Sequence, residues 1–396
     1  MAFKSTFPVT HPKVTISLSD EGSEALGDEE YIESLTPVEV SEGENGYRHS
    51  LRSRQLLVRL ALAMCTLLAA GCTTILAGKI AFVSEREGRA QLYLMEPDGS
   101  NIVRLTDMQL GIELSEIYWS PDGERLIVFA RPYQRYSGGY GEHIGRFDMF
   151  VVKADGGGIT KVATDIVDFA AWSPNGRQIA FETDREVKRW GMKIYVMDVD
   201  GSNVRLLTER GRYNCSPAWS PDGERIAFAS EEEGVWVINS DGSGERQVTR
   251  HAHDSLIGWV SNGERLLISR DNDLYVVSIE GSDVVNLTDS PWSEWDAALC
   301  PGGAKVAFKR GYEYGSEQRS ELYVMDVDTL AQTLIVSDPS GIVWSPSWSP
   351  TCEHVVFAWT REGNTDIYRF DTDGRDLVRL TTHPESDWTP RWSPHP

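Results

Sequence analysis

A tryptophan-centred motif recurs along the whole second part of the chain, and no other feature limits the possible folds as strongly. It reads Tyr118-Trp119-Ser120-Pro121, Ala171-Trp172-Ser173-Pro174, Ala218-Trp219-Ser220-Pro221, Gly258-Trp259-Val260-Ser261, Ala298-Leu299-Cys300-Pro301, Ser347-Trp348-Ser349-Pro350 and Arg391-Trp392-Ser393-Pro394. Successive slots lie 53, 47, 40, 40, 49 and 44 residues apart. Six of the 13 tryptophans occupy this slot, and only Leu299 departs from it. A period of this length marks a repeat architecture in which no unit buries its apolar faces alone.

Each unit carries the same four runs. The Trp segment is followed by a turn such as Asp122-Gly123 or Asn175-Gly176, then by a β-rich run such as Arg225-Ile226-Ala227-Phe228. A loop leads to a second run, for example Ile194-Tyr195-Val196-Met197. Asp-Gly turns then follow at 98, 200, 241 and 373, and a final run ends near Thr, as in Leu206-Leu207-Thr208. Asp-Gly between apolar runs is a strong hairpin signal. Four strands (a to d) per unit, repeated seven times, predict a β-propeller. Pro217, Pro346 and Pro390 lie two residues before the slot. Proline is tolerated on an edge strand, so strand a is the inner edge, lining the channel.

The first unit starts at Lys79 with strand b, and the chain ends on a lone strand a at Trp392-Ser393-Pro394. The expected fold is therefore all-β. It is a seven-bladed β-propeller over 79–396, closed by N- and C-terminal strands that share one blade.

The preceding residues differ. Segment 1–50 is rich in Asp and Glu, shows no sustained apolar period and reads as a disordered acidic tail. Segment 51–78 reads as an apolar signal or anchor helix. Arg52 and Arg54 precede an apolar run, and the 19 residues from Leu60 to Gly78 carry no charge. Two readings stand: translation from near Leu51 with a signal peptide, or a transmembrane anchor over 56–77 of roughly the required 20 residues. Both put the propeller outside the cytoplasm.

These motifs carry two resemblances. Leu68-Ala69-Ala70-Gly71-Cys72 resembles the lipobox of bacterial lipoproteins, which implies cleavage before Cys72 and a lipid on its sulfur. The runs W-S-P-D-G-E-R-I-A-F, L-Y-V-M-D and D-G-S-N-x-x-R-L-T resemble the propeller of the TolB and WD40-like β-propeller repeat family. This second resemblance implies the fold over 79–396 and says little about function. TolB carries an α/β domain ahead of six blades. No such domain is read ahead of Lys79 and seven units are counted, so the Pal- and TolA-binding role is not carried over. The same repeats cap prolyl-oligopeptidase-like hydrolases. The chain ends at Pro396 and holds no G-x-S-x-G elbow, so that activity is not expected.

A net charge of −22 argues against a nucleic-acid partner. None of the five cysteines lies in a C-x-x-C pair, and no metal site or cofactor is expected. In an exported domain Cys300 and Cys352, on neighbouring units, are a possible pair, with Cys215 then odd.

The b–c and d–a loops share the longer-looped face, where binding commonly resides. The loop at 131–146 offers Tyr133, Tyr136 and Tyr140, and that at 309–320 offers Tyr312 and Tyr314. Trp190 lies in a third b–c loop, and Trp292 and Trp295 in a d–a loop. Such rings either form contact sites or pack between loops. Glu116, Asp168, Asp254, Asp296 and Asp387 precede strand a and could ring the channel mouth, focusing potential toward cations or basic peptides. The simpler reading has each acid cap its own turn.

The leading expectation is a monomeric, membrane-tethered scaffold without catalytic residues. Its partner would be an envelope protein, a peptide or a glycan, met on the b–c/d–a face. The rivals are a propeller lyase or hydrolase using Glu116, Asp168, Asp296 and His251, and a purely structural envelope protein.

Overall fold

Strands b and c are apolar on both faces in nearly every unit, so they need cover on both sides. Ile80–Ser84 and Gln91–Met95 are buried along their whole length. Stacking blades face to face around a ring provides that cover. The computed structural model describes residues 78–107, 112–132, 147–167, 169–184, 191–260, 263–314, 317–339, 341–372 and 376–394. The side chains of 112, 113, 115, 132 and 312–319 lie outside the description. Segments 1–50 and 51–77, with Cys72, also lie outside it. Among the described residues no helix is long and apolar enough to cross a membrane.

The described residues form seven four-stranded antiparallel sheets, each in the order a-b-c-d. Strands a of blades 1 to 6 are Ile112–Trp119, Ala170–Trp172, Asn214–Trp219, Ser255–Val260, Ser293–Leu299 and Ile342–Trp348. Blade 7 is the composite. Its strand a, Asp387–Trp392, pairs with strand b, Ile80–Ser84, in the register Ile80↔Trp392 and Ser84↔Asp387. Each strand a touches the next around the full circle. The expected closure is present.

The repeated tryptophan joins neighbouring blades. The indole Nε1–H of Trp119 donates to the Arg391 carbonyl of blade 7 at 2.8 Å. Trp172, Trp259 and Trp348 donate likewise to Tyr118, Ala218 and Ala298 of the blade before them. Leu299 keeps the apolar bulk and gives up this bond. The rest of the motif acts across the same seam. Arg125 donates to the Gly176 carbonyl of blade 2 at 3.0 Å, and its guanidinium lies 5.2 Å from the Trp172 ring centre. Arg225 repeats this against Gly263 and Trp259.

The terminal threonine of strand d has its own duty. The Oγ1 atoms of Thr106, Thr208, Thr249, Thr288 and Thr381 accept the N–H of Leu92, Ile194, Val235, Leu274 and Ile367 in strand c. The Asp-Gly turn carries a further constraint. Gly201 has φ +84°, and a Cβ there would stand 2.6 Å from the Val162 carbonyl oxygen of the preceding blade. Only glycine satisfies both the turn and the close approach.

Candidate functional site

Strand a is where the fold builds its channel, and a β-bulge shapes it. In blades 1 and 3 to 7 the a–b register shifts just ahead of the Trp slot. In four of these the bulge residue three before the slot takes positive φ: Ser216 53°, Asp296 52°, Ser345 52° and Thr389 51°. Proline follows three of them, at 217, 346 and 390. An extra residue on an edge strand, backed by proline, turns backbone groups away from the ladder and into the channel.

Those freed groups are bonded blade to blade. The Ser345 N–H donates to Asp296 Oδ2 at 2.6 Å. Arg391 donates to the Ser345 carbonyl at 3.4 Å and to Glu116 Oε2 at 2.6 Å. One polar path thus runs along the inner strands of blades 5, 6, 7 and 1. Beside it a cavity of about 370 Å³ opens between blades 5, 6 and 7, with Asp296, Pro301, Pro346, Ser347, Arg391 and Pro394 in its lining.

Of the five acids expected around the mouth, the four described ones lie at two levels. Asp254, just ahead of its strand a, and Asp387, the first residue of its own, are buried and gripped by arginine. Arg270 binds Asp254 at 2.6 and 2.8 Å, and Arg86 binds Asp387 at 3.0 and 3.1 Å. Glu116 and Asp296 lie deeper, at the bulge level within strand a. Asp168 lies outside the described residues. A buried carboxylate is costly without a partner, and an arginine at the end of strand b, or in blade 7 two residues past it, stands beside the start of strand a. Glu294, missed by sequence reasoning, occupies the position of Asp254 and Asp387 in blade 5 and meets Arg310 at 2.7 Å. Burial pushes the Glu294 carboxyl above its ordinary value, against the pull of Ser290 and Arg310.

The aromatic candidates also move. Residues 309–314 and 317–320 belong to strands rather than to a loop. Strands b and c of blade 5 run on as Lys305–Tyr314 and Glu317–Asp326, with Tyr312 opposite Arg319 and Tyr314 opposite Glu317. Alternating β-formers let the hairpin continue past the sheet. Trp295 lies inside strand a of blade 5, not in the d–a loop, while Trp292 precedes that strand and is exposed. Tyr133, Tyr136, Tyr140 and Trp190 lie outside the described residues.

His251 approaches two acids in blade 4: Nδ1 is 3.6 Å from Asp254 and Nε2 is 3.3 Å from Asp271. Among the described residues no group of three or more His, Cys, Asp or Glu is placed to hold a metal. Cys300 and Cys352 form a disulfide between blades 5 and 6, with Cα atoms 5.5 Å apart. Cys215 stays free, and burial pushes its thiol up to about 11.

The family model of the TolB β-propeller domain matches residues 141–291 and 271–396, which is most of the ring just described. The chain belongs to this family. The TolB-like propeller is 29% identical over 111 residues to a TolB homolog of Chlorobaculum tepidum, covering 28% of this chain and 24% of that protein. It is 24% identical over 263 residues to a dipeptidyl-peptidase 5 of Porphyromonas endodontalis, covering 50% and 38%. The chain spans well under half the length of both curated relatives. Among solved structures, TolB from Acinetobacter baumannii matches with a TM-score of 0.51 and 19% identity, over 80% of this chain and 66% of that one. An oligogalacturonate lyase in complex with manganese matches with a TM-score of 0.56 and 17% identity, over 74% and 86%. At such identities the likeness is one of fold.

Proposed function

We propose that this TolB-like propeller is a membrane-tethered, extracytoplasmic binding scaffold that meets its partner on the b–c/d–a face. The observation that carries this reading is the inequality of the two faces. The a–b and c–d connections are tight turns closed by Gly123, Gly201 or Gly242. The b–c side holds the long insertions. Blade 5 extends strands b and c to 10 residues each, against 6 in blades 3 and 4. Four more residues per arm carry that hairpin about 13 Å further out. The connection after Arg125–Pro132 of blade 1 brings Tyr133, Tyr136 and Tyr140, residue types that supply rigid contact area.

Export is supported by the Cys300–Cys352 disulfide, since such bonds persist in oxidising compartments. Tethering rests on the lipobox-like end at Cys72 or the apolar segment 56–77. The test replaces Tyr133, Tyr136 and Tyr140 together with serine and measures capture of envelope partners by the full chain. Capture lost with thermal stability unchanged is the expected result; unchanged capture removes these residues from the site.

His251 between Asp254 and Asp271 favours a second reading, an acid–base enzyme at blade 4. It predicts that His251→Gln abolishes any lyase or hydrolase turnover while partner capture persists.

A further inference from the structure

A second tryptophan repeat, offset from the first, lies at the rim of the channel. Trp295, Trp344 and Trp388 each stand four residues before the slot, in blades 5, 6 and 7. Their registers agree: Trp295 faces Lys309, Trp344 faces Ala358 and Trp388 faces Val83, the same level of strand b in each blade. Three consecutive inner strands therefore present an indole at one height, toward the b–c/d–a end. The strands concerned touch one another in turn.

These rings behave differently from those in the slot. Slot tryptophans such as Trp348 are buried, and several spend their N–H on a neighbouring carbonyl. Trp344 is 40% exposed, and Trp295 and Trp388 are half-buried. Trp388 packs one side against the core between blades 7 and 1, and Trp344 is the most open of the three. The Lys309 ammonium lies 5.1 Å from the Trp295 ring centre and fixes that ring from the blade side.

The charges around the arc select the ligand. Glu116, Asp254 and Asp387 are each paired with an arginine, which weakens the pull of these acids on a basic peptide. What remains is a run of indoles at the rim and, further along the same inner strands, a cavity that none of the three lines but whose lining includes Asp296 and Arg391. Its volume, about 370 Å³, is that of a small-molecule subsite. Flat aromatic faces with planar multivalent hydrogen-bonding groups beside them suit a ligand with one apolar face and many hydroxyls.

We propose that the rim formed by Trp295, Trp344 and Trp388 is a saccharide-binding platform for a neutral oligosaccharide, with Asp296 and Arg391 bonding its hydroxyls. This rests on the loop-face reading above and names its ligand class. Sugar rings stack along the arc, and one ring or its substituents dips between the inner strands of blades 5 to 7.

The test is calorimetric titration of the full-length chain with cellohexaose, maltohexaose and chitohexaose, beside hexagalacturonate and decalysine. Saturable binding of at least one neutral hexasaccharide, tighter than either charged probe, is expected. Trp344→Ala should weaken it at least tenfold and Trp344→Phe less. Phe169→Ala, an exposed ring in blade 2, should leave it within twofold. Circular dichroism and melting of the variants report any loss of fold. No binding of the three neutral sugars, equal affinity in Trp344→Ala, or tighter binding of decalysine or hexagalacturonate overturns the proposal. If the sugars fail while the Tyr133/Tyr136/Tyr140 variant still abolishes partner capture, the saccharide inference falls alone. If both fail, the loop-face reading falls with it.

Discussion

Arg125 and Arg225 show how much one motif position can decide. Each closes its own turn through Asp122 or Asp222 and reaches across the seam to the next blade's carbonyl and slot tryptophan. At the other end of the inner strands, Asp254 and Arg270 form a pair whose acid is wholly buried. Asp254→Ala strands the Arg270 guanidinium, and a loss of about 3 to 5 kcal/mol is expected in denaturant unfolding. Asp254→Leu combined with Arg270→Leu should recover most of that loss. The aspartates of the Asp-Gly-Ser turns set a pH dependence. Ser202 and Ser243, through hydroxyl and backbone N–H, hold Asp200 and Asp241 below the ordinary carboxylate value of 3.8. A depressed folded-state value means stability that is full above 3.8 and is lost as pH falls below it through the lower folded-state value. Replacing both serines with alanine should make the decline below pH 3.8 shallower in acid-unfolding curves; an unchanged decline would show that these turns do not couple to folding.

At the scale of elements, strand a combines three roles: inner edge, blade-to-blade seam and channel wall. The Trp slot, the Asp-Gly turns and the proline before the slot could be read from the sequence, because the repeat states them several times over. The acid pairs could not. The partner of Asp387 is Arg86, 301 residues away along the chain, and that of Asp254 is Arg270, 16 residues on. Only strand pairing brings such residues together, so acids that look like an open ring in sequence become neutral pairs in the fold. The tryptophan arc leaves a signal, a Trp four before the slot, but in three units only. Its meaning depends on those units being neighbours around a circle. The blade 5 hairpin was hidden for another reason: Gly311 and the polar residues around it read as a loop, yet the pairing continues to Tyr314. The Cys300–Cys352 bond joins the a–b turns of blades 5 and 6 across 52 residues. Loop entropy assigns such a link up to about 4 kcal/mol. Reduction, or Cys300→Ser with Cys352→Ser, should lower the melting temperature without opening the ring; no shift would mean the bond is absent in solution.

For the whole molecule, closure governs everything else. A ring without a terminal edge holds its seven inner strands at fixed positions, and both proposed binding surfaces depend on that spacing. The closing contacts are made by both chain ends. Lys79 donates its backbone N–H to the Ser393 hydroxyl at 2.9 Å, and Ser393 N–H donates to the Lys79 carbonyl at 2.8 Å. Hydrogen exchange tests this most directly, comparing the full chain with one ending at Ser386. Amides of Ile80–Ser84 in the full chain should exchange as slowly as those of the other b strands. In the shortened chain they should lose protection, and blades 1 and 6 beside the gap should follow. Equal protection of Ile80–Ser84 in both chains would contradict a ring closed by the last strand.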